Sequence, residues 1–536
     1  MSGRVERAAP WVAGLMLAAP VLLLRYPPMT DLPLHEGMVA VLRHLHDPAW
    51  FPPDLYVLNL GRYNQLFELT ALALSVLLGT TLACKVVVAA TLVATLVCGA
   101  RLAAYRGATR WAALALAPLA LGWTFYWGFV GNTLGLALLL AALPSLDRVA
   151  ERPTWRGAAV ATLWLLALAF AHATSMLCGC GALVVLSLVR GAGRPTLRAL
   201  APVALLAVLT VLEQRVEERH LTPLTRFFAT RPLWTPLPAR LAEVVRDLFG
   251  AVGRVPEGAL ALLLTVLVVA GALAGRRRSD PPAGPALRGR RAWMLEHRFA
   301  LVALGLLVAY LSAPYSLNFG AFLNVRFLAP AATLAILAAA PPARATPRLF
   351  VFVASVVPLA TLLVAAPQLA EAQTQNAAVE SLLPRIERDS AVHVMHVGPF
   401  RERAAFDVAS AGNRILAARG GRLLMSFTEY PIAPVQVTPE LRWDTTLGRV
   451  YWDARTFVPA WDFQRLRYLL LHVADPDLAA LVVGAMSPDA RLAGAEGEWL
   501  LFEARRPTRP LTAPDAPLPE PSPERLDERV RRLQKP

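Results

Sequence analysis

Residues 26–64 read YPPMTDLPLHEGMVAVLRHLHDPAWFPPDLYVLNLGRYN, a polar stretch set between apolar runs at 8–25 and 64–83. It gathers Asp31, His35, Glu36, Asp47, Asp54, Arg62 and Tyr63. Pro33 sits where a first helical turn tolerates it, and Met38, Val41, Leu42 and Leu45 share one face at helical spacing. The spacing predicts a short helix along a membrane surface, with His35, Glu36 and Arg43 towards water. Such a loop either caps a cavity between transmembrane helices and supplies its acidic group, or merely joins two helices. Loops carry sites more often than cores do.

The surrounding composition is that of a membrane protein. The chain has 536 residues, 56% hydrophobic and 17% charged, and a mean hydropathy of +0.47, where a soluble domain has about 25% charged residues. The net charge of +15 raises nucleic acid as a partner. The arginines, however, form short clusters between apolar runs, which is the positive-inside pattern, and nucleic acid is rejected. Cys84, Cys98, Cys178 and Cys180 all lie in apolar segments. The Cys178-x-Cys180 pair lacks a second pair for zinc, so packing is the expected role. The N-terminal segment has a signal-like charge pattern without a small-residue cleavage site before the loop, and reads as an uncleaved anchor.

Twelve apolar runs fall at about 8–25, 64–83, 86–104, 111–125, 131–145, 158–172, 174–190, 197–213, 258–275, 299–313, 327–340 and 346–366. Several are shorter than the roughly 20 residues of a perpendicular span, as broken helices lining a cavity are. With Arg4 and Arg7 cytoplasmic, the clusters Arg101/Arg106/Arg110, Arg148/Arg152/Arg156, Arg190/Arg194/Arg198, Arg276 to Arg298 and Arg344/Arg348 share that side if 64–104 crosses the bilayer once overall. That segment is then half-inserted or one long bent helix. The polar interruptions consequently share the outer face: the 26–64 loop, WTFYWGFVGN (123–132), 172–175, the 214–257 segment, and SAPYSLNFGAFLNVR (312–326).

Within 214–257, residues 239–249 form an amphipathic helix with Leu241, Val244, Val245 and Leu248 on one face, lying in the membrane interface or packed on its own protein. After 366 the apolar runs stop. Residues 370–388 suit a helix; AVHVMHV (391–397), GRLLMSF (421–427), RYLLLHV (467–473) and EGEWLLFEAR (496–505) read as strands; 475–486 is a helix capped by Asp475. These define a small α/β domain over 367–506, without a glycine-rich nucleotide loop or nucleophile elbow. The Pro-rich tail, 507–536, reads as disordered. The fold class is thus a polytopic α-helical membrane domain, 1–366, followed by a small extramembrane α/β domain.

Asp31 can act as a general base, hold a metal, or simply cap the helix. Asp31, His35 and Glu36 are compatible with a divalent ion, though their spacing is not diagnostic. Arg326, in NVRFLAP, lies where the chain re-enters the membrane; a charge there costs about 2.5–3.5 kcal/mol at mid-span and less near the interface. Its fork suits a phosphate, and the alternative is snorkelling to headgroups. His172 interrupts an apolar run, either as a satisfied core residue or as a site residue. Trp123, Tyr126, Trp127 and Asn132 form an interfacial belt or line a sugar ring. Arg62, Tyr63 and Asn64 lead back into the membrane and suit an anionic headgroup, with Arg226 and Arg231 as weaker counterparts.

An acid-bearing first outer loop with a surface helix, many short helices, a re-entry arginine and a small outer C-terminal domain together resemble the GT-C class of integral-membrane glycosyltransferases, over about residues 8–366. The likeness is architectural. It implies a sugar taken from a polyprenyl-phosphate or polyprenyl-diphosphate carrier and passed to a glycan, lipid or protein acceptor at the outer face of the cytoplasmic membrane. It also implies a cytoplasmic N-terminus and an extracytoplasmic C-terminal domain. Many members carry two acids close together in the first loop; here Asp31 matches the leading acid and the second is displaced to Glu36. By the resemblance Asp31 removes the acceptor's proton and Arg326, helped by Arg62, neutralises the leaving phosphate, the two facing one lipid-accessible cavity. His35, Glu36, Tyr63, His172, Trp127 and Asn132 complete the candidate binding set. The alternatives are a transporter or flippase of similar helix count, and a degenerate scaffold of envelope assembly. No clear internal repeat is visible and the ionisable groups gather at one face, which favours an enzyme.

Overall fold

The computed structural model describes residues 3–152, 154–191, 198–202, 204–205, 208, 212, 232–276, 290–317, 321–398, 406–424, 426–430, 432–441, 457–506 and 508–513. Arg226, Arg231, about half of the 197–213 run and the tail beyond 513 lie outside them. Among the described residues six helices are long and apolar enough to cross a membrane, or seven if the pair Arg290–Glu296 and Arg298–Ser312, bent by 77°, counts as one. Five shorter apolar helices accompany them, as the uneven run lengths imply.

The chain divides into two compact units: residues 1–24, 63–67 and 85–368, and residues 25–62, 68–84 and 369–536. The loop that opens the sequence reading therefore groups with the C-terminal residues. The 64–104 segment, expected as a half-inserted or bent crossing, is two helices, Leu66–Leu78 (α3) and Thr80–Tyr105 (α4). Between them Gly79 takes φ +75°, a backbone state glycine adopts without steric cost.

The first unit is helical. It contains Gly3–Leu23 (α1), most of α4, Val130–Glu151 (α7, after the one-turn helices Ala117–Ala120, α5, and Trp123–Tyr126, α6), Trp155–Ala171 (α8) and Ala173–Arg190 (α9). Leu237–Phe249 (α10), Arg254–Arg276 (α11), Arg290–Glu296 (α12), Arg298–Ser312 (α13) and Leu328–Ala339 (α14) follow. One fully buried carboxylate staples four of these helices. Asp147 of α7 accepts from Arg190 of α9, Arg298 of α13 and Tyr105 of α4, each at 2.9 Å. Lys85 of α4 donates to the α1-terminal carbonyls of Leu22 and Leu24, at 3.0 and 2.6 Å, and so satisfies acceptors that a helix end leaves open. The expected amphipathic helix is α10, and two of its charged residues, Arg240 and Asp247, face inwards. Arg240 is buried and donates to Tyr310 O and Leu311 O, while Leu237 and Leu241 are exposed, as suits a helix against lipid.

The second unit is built on a five-stranded sheet of order β3-β2-β5-β7-β6: Ala391–His396 (β2), Arg422–Leu423 (β3), Tyr468–His472 (β5), Ala490–Glu496 (β6) and Trp499–Ala504 (β7). β3, β2 and β5 run parallel, and β7 and β6 are antiparallel additions. A separate ribbon pairs Tyr56–Leu58 (β1) of the early loop with Val435–Val437 (β4). The helix anticipated at 370–388 is the far end of Arg348–Leu382 (α15), which runs unbroken past 366. Asp475 caps Pro476–Met486 by accepting from Asp477 N and Leu478 N. The chain stays packed beyond 507: Arg509 N donates to Gln464 O and Leu511 is buried. The loop helix Leu32–Arg43 (α2) buries Leu34, Met38 and Val41 in the same core as Val392, Leu470 and Trp499.

Candidate functional site

In the first unit three residues singled out by sequence converge. Arg326 lies in a 3-10 turn, Val325–Phe327, that leads into α14. Its Nη1 donates to Asn132 Oδ1 and to His172 Nε2, both at 2.7 Å, and Nη2 donates to Ala321 O at 3.3 Å. Its guanidinium carbon lies 4.0 Å from the centre of the Phe129 ring, a cation–π placement. His172 breaks the helical run between α8 and α9, and Asn132 sits in the first turn of α7. Glycine lets these two segments meet: a Cβ on Gly135 would lie 2.0 Å from Ser175 Oγ, and one on Gly131 2.5 Å from Ala171 O.

Arginine only donates, so His172 Nε2 is the ring atom that receives the guanidinium. His172 Nδ1 lies 2.7 Å from Thr174 Oγ1 and 3.1 Å from Thr174 N, and Thr174 Oγ1 accepts from Asn132 Nδ2 at 2.7 Å. The guanidinium is thereby aimed by two side chains that are themselves tied through Thr174. Asn64 reaches the same helix break, its Oδ1 accepting from Ala173 N at 2.8 Å, and Tyr63 beside it is buried.

An aromatic wall adjoins the guanidinium. Trp127 lies 4.5 Å from Phe322 and 6.0 Å from Phe129 between ring centres, and Trp123 lies 5.2 Å from both Phe129 and Phe322. Phe322 takes φ +59°, an uncommon backbone state for a bulky residue that is held where surrounding packing requires it.

The acids sit in the second unit. Asp31 is the N-cap residue of α2, yet its side chain makes no capping bond, so capping is not its role. It lies near enough to Tyr430 for its charge to help hold that buried phenol up, at about 12, burial being the larger cause. Glu36 is fully buried and accepts from Arg414 Nη1 at 2.7 Å; Arg414 Nε donates to Asn376 Oδ1 at 2.6 Å. That pair clamps α2 onto the C-terminal residues. His35 Nδ1 lies 2.5 Å from Glu68 Oε1, and its ring meets Phe427 edge-on at 4.9 Å. Arg62 donates to Asn59 Oδ1 at 3.1 Å.

Glu36 and His35 turn to separate partners, Arg414 and Glu68. Among the described residues no three metal-ligating side chains come together. Sequence reasoning passed over Thr174, Glu68 and Arg414. Glu68 had a visible signal, an acid inside an apolar run; Thr174 was visible only as part of a polar interruption, and Arg414 had no signal of its own.

A helical membrane unit of long and short apolar helices, joined to a small α/β unit that takes up the acid-bearing first loop, defines a GT-C-type membrane fold. Among solved structures the chain is similar to the crystal structure of ArnT from Cupriavidus metallidurans bound to undecaprenyl phosphate. The two are 12% identical, with 92% of this chain and 96% of that chain covered and a TM-score of 0.51. The apo state of the same protein gives 12% identity, the same coverage and a TM-score of 0.45. No family model and no curated protein match the chain.

Proposed function

We propose that the chain is a membrane glycosyltransferase. It moves a sugar from a polyprenyl-phosphate carrier to an envelope acceptor at the outer face of the cytoplasmic membrane, with its N-terminus cytoplasmic and its C-terminal unit outside. The observation that carries this reading is the aimed guanidinium of Arg326, held by Asn132 and His172 at 2.7 Å each beside an aromatic wall. A fixed cation suits a carrier phosphate, and flat ring faces suit a sugar. The fold likeness supports the reading, since that neighbour is described as bound to undecaprenyl phosphate.

In the proposed step the acceptor's hydroxyl oxygen bonds to the anomeric carbon as that carbon's bond to the carrier phosphate oxygen breaks. The hydroxyl proton passes to the Asp31 carboxylate. The electron pair leaves with the phosphate, whose added charge Arg326 offsets, a preorganised form of transition-state stabilisation. Glu36 and Arg414 hold α2, and with it Asp31, in place. No step is assigned to a metal ion.

The test is direct: purified protein in liposomes, a panel of radiolabelled polyprenyl-phosphate sugars, and measurement of label transferred to envelope acceptors. Transfer supports the assignment. Carrier or sugar movement across the liposome membrane without new glycosidic bonds supports a transporter instead.

A further inference from the structure

A second feature lies away from Arg326 and Asp31. The turn after α2, the strand β1 with its continuation to Leu60, and the first half of α3 enclose a cleft of about 490 Å³. Leu69 and Leu72, three apart on α3, share a face and form one wall; Leu58 and Leu60, each 53% exposed, stand at the other. Further along, α3 exposes Val76 and Leu77 at 71% and 86%. Apolar surface of that extent on a helix suits hydrocarbon, so the leucine wall continues a lipid-facing surface.

The lining also carries the polar side chains of Arg43, His44, His46 and Asp47. The single acid there is engaged: Asp47 Oδ1 accepts from Ala49 N at 3.0 Å and Oδ2 lies 3.6 Å from His44 Nδ1. His44 is stacked on Trp50 at 4.4 Å. The side chains of Arg43 and His46 are exposed and make no hydrogen bond or ion pair with any described residue. Arg43 also lies in the last turn of α2, where a cation offsets the helix dipole, a role that needs no ligand.

We propose that this cleft binds an anionic phospholipid from the bilayer, its phosphate at Arg43 and His46 and one acyl chain along Leu58, Leu60, Leu69 and Leu72. A free phosphate uses the cations but leaves the leucines bare; a zwitterionic lipid brings a cation that Arg43 repels. The site is independent of sugar transfer and stands or falls apart from it.

Full-length protein is placed in nanodiscs of phosphatidylcholine doped with either phosphatidylglycerol or phosphatidylcholine carrying a photoreactive acyl chain, and crosslinked peptides are mapped by mass spectrometry. Phosphatidylglycerol labels the peptides containing Leu58 to Leu60 and Leu69 to Leu72 in preference to phosphatidylcholine. Arg43→Glu lowers that labelling about tenfold, the loss of one charge-assisted contact. Leu72→Trp, which fills the cleft and leaves the cations in place, lowers it as well. Excess inorganic phosphate leaves it unchanged. Equal labelling by the two lipids, displacement by inorganic phosphate, or an Arg43→Glu variant that loses thermal stability while labelling is unaltered overturns the proposal.

Discussion

The Nη1 of Arg326 donates to the Nε2 of His172 across 2.7 Å. A ring nitrogen held this close aims the guanidinium, so His172 acts as a positioning residue for the cation. His172→Ala is expected to raise KM for the polyprenyl-phosphate donor about tenfold, the loss of one hydrogen bond to a charged group, with a smaller change in kcat. His172→Gln, whose amide oxygen still accepts, restores most of the difference, and His172→Phe does not. Steady-state kinetics on the three variants checks this; equal KM in all of them removes His172 from the donor site.

Glu36 and Arg414 form an ion pair with side chains 1% and 8% exposed. Glu36→Ala leaves a buried guanidinium unpaired and is expected to cost about 3–5 kcal/mol. The double change Glu36→Leu with Arg414→Met is expected to recover most of that loss. Thermal unfolding in detergent measures it. A stable Glu36→Ala protein that is inactive instead assigns Glu36 to chemistry.

Asp147 binds two arginines and a tyrosine from three other helices and is fully buried. Asp147→Asn keeps the shape but removes the charge that Arg190 and Arg298 face. Loss of several kcal/mol is expected, since breaking a buried pair by removing one partner leaves uncompensated charge. The readout is thermal stability and detergent-extracted yield. Unchanged stability means these arginines reach water or lipid phosphate instead.

His393 lies on β2 and is completely buried. Burial pushes its pKa down to about 4, with the Leu424 backbone opposing. The unfolded chain therefore binds the proton first. The stability that neutral His393 allows is complete above about pH 6.5 and falls as pH drops towards 4, by about 3 kcal/mol. Asp462, raised by burial to about 7, contributes with the opposite sign, so the difference between wild type and His393→Leu is the informative quantity. Urea unfolding at pH 7.5 and 5.0 should show a smaller acid loss in the variant. Parallel losses in both proteins contradict the assignment.

Much of this molecule was legible from patterning. Long apolar runs gave helices, alternating AVHVMHV and the continuous RYLLLHV gave paired strands β2 and β5, and Pro33 with Met38 and Val41 gave α2. β6, ARLAGAE, was missed because it is a largely exposed strand of small and charged residues with no apolar run to announce it. GRLLMSF supplied only the two residues of β3, with a 3-10 turn starting at Phe427. Arg326, His172 and Asn132 were visible as polar breaks in apolar sequence, because a polar group at membrane depth is costly and is kept for a reason. Their union through Thr174 was not visible, for it depends on glycines at 131 and 135 that only packing explains. The partner of Glu36, Arg414, lies 378 positions away, so their pairing left no local signal in the sequence.

The central claim is that Asp31 and Arg326 do the chemistry of sugar transfer. It is tested most directly by single-turnover transfer from a polyprenyl-phosphate sugar in liposomes, with wild type, Asp31→Asn and Arg326→Ala assayed beside their melting temperatures. The expected result is a loss of rate of about 10²–10⁴-fold for Asp31→Asn, as for removal of a general base, a weaker donor affinity for Arg326→Ala, and little change in melting for Asp31→Asn. Transfer by a folded Asp31→Asn protein at the wild-type rate contradicts it.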